Sequence, residues 1–369
     1  MVARADLVRM HGEDPISFST LQPGLRYCET SYGYIAYQRA WGIDITLGPP
    51  VAAAADQAAL IDRFLRTQKR PVFCYLRARD AERVAQTAAA STGQQTLYTA
   101  RMGSDRLLST RALQAPDHTL PKPLLGARKH ARRAGFSMQR IEAKDLTPPL
   151  LDRLAQITAC YLQKSQLPYE MRFLNRPFDP QDLQAAAAGA RTYLLQQQRS
   201  SFDPPQQFGY AVLNPWFHRD RVAGYLLDIV RCQSTRQWGV FYAVVDALCH
   251  ELHREGVLNL SLGFCPLHSA PVSASPGADG TDTAVSCSSL LSTQIAWMEQ
   301  HLADVPYVQR LRELKTALPG ISEPRYFVSY SPLAPPAFVA LMGASGVRLR
   351  SLLGPSLWQS IAAARSRGS

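Results

Sequence analysis

Three observations predict an α/β fold. Strand-like and helix-like runs alternate through the first 145 residues in the order ββαβαβ, the pattern of a layered α/β domain. From Leu150 to Tyr330 the coarse plan recurs, strands, then a central helix, then more strands, without a close sequence repeat. Hydrophobic residues make up 46% of the 369 and charged ones only 19%, enough apolar material for two or three packed domains. Two similar α/β lobes packed together is the economical reading.

Each element has its own signal. Residues 33–52 hold two β-rich runs that turn around Trp41-Gly42, a hairpin pattern. Residues 53–65 are Ala/Leu-rich and helical, 71–76 (PVFCYL) read as a buried strand, 80–90 as a helix and 96–102 as a strand. Lys122, Arg128, Lys129, His130, Arg132 and Arg133 crowd one short helix, 122–135, that Gly135 closes. In the second half, 150–163 carries helical apolar spacing at Leu151, Leu154, Ile157 and Tyr161. Strands are expected at 191–197, 208–217, 222–231, 258–264 and 326–330, with helices at 239–254 and within 290–318. Residues 269–289, rich in Ser, Pro, Gly and Asp, read as a mobile surface loop. The expected lobes are therefore 1–145 and 146–330, followed by a tail, 331–369.

Composition bounds the function. Forty basic against 29 acidic residues give a net charge of +11, which points to an anionic partner. Of the basic residues 34 are Arg, a bias that codon usage or phosphate recognition would each produce. Seven cysteines, scattered and never as CxxC, argue against a zinc site or disulfide framework and for a reducing compartment. His250 and His253 read as surface residues, so no metal site is expected. No apolar run reaches bilayer length and the N-terminus has no signal-peptide core, so the expectation is a soluble, cytoplasmic protein.

The most informative stretch is Gly224 to Leu267. A strand carries Asp228-Ile229-Val230-Arg231, a polar turn follows, and Arg236-Gln237-Trp238-Gly239 opens a helix whose N–H groups form an anion site. This unit resembles the coenzyme A turn of GNAT-type acyltransferases, matching at Arg236 and Gly239, but Phe241 stands where a small residue should be. Leu260-Ser261-Leu262-Gly263-Phe264-Cys265-Pro266-Leu267 resembles the "LGxAPL" strand of the C-terminal catalytic module of phosphatidylglycerol lysyltransferases. Asp228-x-x-Arg231 is similar to that family's "DLMR", Leu311 to Lys315 to its "LRxFK", and Glu323-Pro324-Arg325-Tyr326 to its "WEPRY". Leu47 to Val51 resembles "LGDPV", and Lys129 to Phe136 the segment "RRxxxRAxRxGF". The matches run in family order from about residue 25 to 330. Ser322, Ala317 and Leu318 depart from the family pattern.

The resemblance implies tandem GNAT-like lobes, each a mixed, mostly antiparallel sheet flanked by helices, with a basic C-terminal helical tail. It implies a transferase that moves an aminoacyl group from a charged tRNA to a lipid hydroxyl or another small acceptor at the cytoplasmic membrane face, with no cofactor. Motif by motif, it makes Asp228, Arg231, Glu323 and Arg325 catalytic candidates. Arg236, Gly239, Lys315, Tyr326 and Arg310 become substrate-binding candidates, and Lys122, Arg128, Lys129, Arg132 and Arg133 a phosphate-binding face for tRNA or lipid. Asp228 would face the amino acid's ammonium group or orient a neighbour, and Arg231 would hold a phosphate or the oxyanion. Taken alone, each carboxylate–arginine pair also fits a strand-end ion pair, and the basic helix a solvated face. From Tyr326 to Ser369 there is no Asp or Glu, and apolar residues mix with Arg348, Arg350, Arg365 and Arg367. Residues 337–367 accordingly suit a peripheral membrane contact or a helix docked on the lobes. An acyl-CoA-dependent N-acyltransferase and a non-catalytic RNA- or membrane-binding module are the competing readings.

Overall fold

The computed structural model describes residues 2–91, 96–165, 167–180, 189–198, 202, 204–233, 237–268, 285–302 and 305–347. The first half runs α1 (Arg4–His11), β1 (Arg26–Thr30), β2 (Gly33–Ala40), β3 (Ile43–Thr46), β4 (Val51–Ala52), α2 (Gln57–Thr67), β5 (Pro71–Leu76), α3 (Ala78–Ala90) and β6 (Tyr98–Ser109). Then come α4 (Lys122–Arg133), β7 (Phe136–Ile141), α5 (Pro148–Lys164), β8 (Arg191–Gln197), β9 (Gln206–His218), β10 (Arg221–Cys232) and α6 (Gln237–Arg254). The chain continues through β11 (Asn259–Pro266), α7 (Ser289–Leu302), α8 (Pro306–Thr316), β12 (Ile321–Ser329) and α9 (Ala334–Ser345). The expected hairpin is present: Ala40 pairs with Ile43 across Trp41-Gly42, whose φ angles of 54° and 75° are those of a two-residue primed turn. The segment expected as a loop at 269–289 falls largely outside the described residues, and Ser289 itself opens α7.

Among the described residues all twelve strands belong to one sheet, ordered β1-β2-β3-β5-β12-β6-β11-β10-β9-β8-β7, with β4 on β2. The expected class, α/β with a mostly antiparallel sheet flanked by helices, is what the structure has. Two pairs are parallel, β3 with β5 and β10 with β11, and each is joined through a helix, α2 or α6. The two halves are fused by an exchange at their last strands. β12 lies between β5 and β6, while β6 pairs with β11. β12 also starts earlier than the sequence suggests, at Ile321, so Pro324 sits inside a central strand, opposite Ser104 and one residue from a register shift at Arg325/Tyr326.

Period-2 alternation distributes the sheet's side chains between layers. On β5, Phe73 and, past the irregularity at Tyr75 (φ 62°), Leu76 pack with Leu60, Ile61 and Phe64 of α2 and Val84 of α3. Val72 and Cys74 face the other way, onto Ala334, Ala337, Ala340 and Ala344 of α9. The first part of the tail is therefore a docked helix whose alanine stripe lets it lie close on the sheet. In the second half the register shift between Leu227 and Ile229 of β10 breaks that alternation, so Leu227 packs under α4 and α6 while Ile229 joins Leu151, Leu154 and Ile157 of α5.

A buried charge network pins the strand exchange. The guanidinium of Arg325 on β12 is fully buried and donates to Asp14 at 2.6 Å, Asp105 on β6 at 3.0 Å and Glu323 at 2.9 Å. Asp105 also accepts from Tyr75 of β5 and Ser261 of β11, so one carboxylate ties all four exchanged strands. Arg77 supplies a second cation, 3.1 Å from Asp14. Burial alone would push the Asp14 carboxyl up, but Arg325 and Arg77 hold it below the usual range. Replacing Arg325 by Met strands these carboxylates in the interior, and a loss of about 3–5 kcal/mol is expected in urea unfolding. Arg66→Met, which breaks the exposed Arg66–Asp62 pair, is expected to cost under about 1 kcal/mol.

Candidate active site

The site begins where the sheet comes apart. β10 and β11 pair in parallel only at Tyr225–Leu260 and Leu226–Ser261, and beyond those residues they separate. Each strand carries an irregularity at the split. On β10 the register moves from Leu227–Leu213 to Ile229–Val212, which leaves Asp228 unpaired in a bulge and re-aims its side chain. On β11 the register breaks between Ser261 and Phe264, and Gly263 adopts φ 75°, a conformation that a glycine takes without strain.

A cavity of about 680 Å³ fills the gap, roofed by α7, α8 and α9. Its walls are mostly apolar, among them Leu226, Leu262, Phe264, Trp297, Leu311 and Phe338. Charged groups enter at few places: Asp228, Lys315 and, at an exposed position, Arg172. A second, polar pocket of about 110 Å³ meets the first at Asp228, Asn175 and Tyr307. There Arg231 grips Glu170 with two bonds of 2.5 and 2.6 Å, beside Tyr161, Tyr169 and Arg176. A third pocket, about 180 Å³, shares Tyr161 and Tyr307 with the second and carries Lys164, Arg310 and Phe241.

The electrostatics favour proton transfer at the junction. Asp228 accepts from the Asn214 side chain at 2.9 Å and the Arg176 backbone N–H at 3.4 Å. Burial dominates these contacts and the Arg176 charge, and pushes the carboxyl up to about 6. Lys315 is buried too, donates to the Phe264 carbonyl at 2.9 Å, and has its pKa lowered by that burial. Burial thus shifts both groups toward their neutral forms within one cavity, the acid upward and the amine downward.

The sequence-derived candidates fall in several separate places. Asp228, Arg231 and Lys315 line the two cavities, and Arg310 lines the third pocket. Glu323 and Arg325 stand in the strand-exchange network and line neither the large cavity nor the polar pocket, while Tyr326 packs toward α2 and α3. Gly239 is half-buried in the first turn of α6, and Arg236 lies outside the described residues. On α4, Lys122, Lys129, Arg132 and Arg133 are exposed, but Arg128 is held by Asp246 at 2.5 Å and Asp117 at 2.6 Å. The sequence reading missed Glu170, Arg176, Asn214 and Tyr307. Asn214 had a signal, a polar residue within the apolar run of β9 that is fully buried.

A sequence profile described as phosphatidylglycerol lysyltransferase, C-terminal, matches residues 4–329. The chain belongs to that family. An uncharacterized protein of Corynebacterium glutamicum is 26% identical over 299 residues, 75% of this chain and 33% of that protein. The chain thus spans about a third of the length of this curated relative. Two solved structures share the fold. The C-terminal domain (DUF2156) of a putative lysylphosphatidylglycerol synthetase from Agrobacterium fabrum superposes with a TM-score of 0.69 at 17% identity, covering 94% of this chain and 97% of that one. L-PGS from Bacillus licheniformis gives 0.68 at 15% identity, covering 94% and 96%. The fold of the chain is therefore that of these C-terminal domains, with the mixed, mostly antiparallel sheet flanked by helices that the motifs imply.

A raised native pKa makes Asp228 a stability liability at neutral pH. The folded protein binds a proton that the unfolded chain has released between about pH 4 and 6, so wild-type stability falls as pH rises through that window. Asp228→Asn is expected to melt higher than wild type at pH 7.5, with the difference shrinking toward pH 4.5 in thermal scans.

Proposed function

We propose that this chain transfers an aminoacyl group from a charged tRNA to a hydroxyl of an anionic, phosphatidylglycerol-like lipid at the cytoplasmic face of the membrane. The observation that carries the reading is the meeting of a large apolar cavity and a small polar pocket at one carboxylate, Asp228, poised near pH 6. The apolar cavity suits acyl chains. The polar pocket suits the aminoacyl group, whose ester carbonyl then lies between the two.

The chemistry balances on these residues. Asp228 accepts the proton of the acceptor hydroxyl as its oxygen attacks the ester carbonyl carbon. The bond from that carbon to the tRNA ribose oxygen breaks, and the proton passes to the departing ribose oxygen. Lys315, a buried cation beside the same cavity, lies within reach of the lipid phosphate or the developing oxyanion. The donor ester is already activated, so the balance includes no metal or other cofactor. We assign the third pocket to the tRNA 3′ end, with Phe241 as a stacking platform and Arg310 and Lys164 as phosphate partners. The exposed Lys122, Lys129, Arg132 and Arg133 would hold more distant phosphates.

The test incubates the protein with radiolabelled aminoacyl-tRNAs, singly, and phosphatidylglycerol vesicles, then counts label in extracted lipid. Transfer should rise through about pH 6 and fall by roughly 10²–10⁴ in Asp228→Asn. Arg310→Ala should raise the KM for charged tRNA more than it lowers kcat. Absence of transfer with every charged tRNA, or saturable acyl transfer from acyl-CoA instead, overturns the proposal.

A further inference from the structure

The mouth of the large cavity is ringed by apolar side chains that the fold leaves in solvent. Trp297 of α7 lines the cavity and is 60% exposed, and Val339 of α9 lines it and is 37% exposed. Leu290, two turns before Trp297 on α7, is 52% exposed, and Leu333, at the start of α9, is 48% exposed. These helices adjoin, since the Ala334 N–H donates to Gln294 of α7 at 2.9 Å. Trp41, at the tip of the β2–β3 hairpin, is 77% exposed and lies against Gly343 of α9. Five large apolar side chains therefore stand exposed on three adjoining elements, the hairpin tip, α9 and α7, and two of them line the cavity itself. Single exposed hydrophobics need no explanation, but a contiguous group with two tryptophans does.

We infer that this rim is a docking collar that seats the cavity mouth on the surface of an anionic bilayer, so that an acceptor lipid moves from the leaflet into the cavity without crossing water. The inference rests on the lipid-acceptor reading above. Tryptophan and short aliphatic side chains around a lipid-sized opening match the composition of membrane–water interfaces. Charge selects the same partner. α9 (APPAFVALMGAS) carries no charged residue, and the exposed Arg172 stands at the mouth beside Gly346, its backbone N–H donating to the Ser345 carbonyl. The exposed Arg70 flanks the hairpin turn at Gly42. Glu299, the one carboxylate of α7, interacts with Arg101 and His268. Beyond Val347, which lines the cavity, the sequence carries four arginines and no acidic residue.

The test uses the full chain and a triple variant, W41S/L290S/L333S, whose exposed positions lie off the cavity lining, with equal melting temperatures as the check on folding. Wild type is expected to sediment with phosphatidylcholine–phosphatidylglycerol vesicles and less with phosphatidylcholine alone. The variant should partition at least tenfold more weakly, and brominated lipids should quench wild-type tryptophan fluorescence. Transfer to vesicle phosphatidylglycerol should fall in the variant, while transfer to a short-chain, water-soluble phosphatidylglycerol stays at the wild-type rate. Equal vesicle partitioning of variant and wild type, or no partitioning by either, overturns the collar, whether or not transfer occurs. Collar-dependent docking without any lipid labelling leaves the collar standing and removes the transfer reading.

Discussion

One buried guanidinium holds the two halves of this protein together. Arg325 lies in the middle of the sheet with no solvent, so its charge is tolerable only because Asp14, Asp105 and Glu323 surround it. Those carboxylates come from the N-terminal segment, from β6 and from β12, and no local stretch of chain could bring them together. Tyr75 completes the cluster: its ring lies 4.5 Å from the guanidinium, and its hydroxyl bonds Asp105. Such a network adds little net stability compared with an apolar core of equal volume. What it supplies is discrimination, because any other register of β12 between β5 and β6 buries unpaired charge.

The exchange also explains where the cavity can form. With β12 filling the seam and β6 pairing β11, the centre of the sheet is closed, and separation is confined to the outer side of β11. A parallel pair held by only two residue pairs parts easily, and the bulges on both strands turn side chains into the gap. Asp228 is the residue displaced by one of them. Had the β10 register run straight through, residue 228 would sit on a regular ladder rather than at the junction of two cavities. Its raised pKa follows from the same geometry, since the bulge places a carboxylate among apolar walls with a neutral amide and a backbone N–H as its direct partners.

Local pattern made much of this legible. β5 was readable to the residue because six consecutive buried positions bounded by turn signals have few alternatives, and the Trp41-Gly42 turn announced its hairpin. Asp228 and Arg231, singled out by motif order, line the cavities. Strand exchange left no trace in periodicity, because pairing partners far apart in sequence are chosen by register and buried charge. Glu323 and Arg325, singled out by the same motif order, stand in the charge network at the seam. β12 begins at Ile321, before the expected start at 326, and holds Pro324 inside a central strand, where a proline removes a ladder hydrogen bond. Glu170 and Arg176 sit in an irregular segment between α5 and β8, where neither period gives any prediction.

The arginine excess can now be divided by what the guanidiniums touch. Arg325, Arg77, Arg128 and Arg231 are each met by carboxylates inside the protein, where a planar fork that bridges two acceptors outperforms a lysine ammonium. These residues set the architecture and are not available to an outside anion. Lys122, Lys129, Arg132 and Arg133 of α4, together with Arg172 at the cavity mouth and Arg310 at the third pocket, are exposed. Net charge therefore understates the order in the molecule. Internal pairing consumes cations where strands must be registered, while Arg172 and Arg310 stay exposed on the lining of the large cavity and of the third pocket.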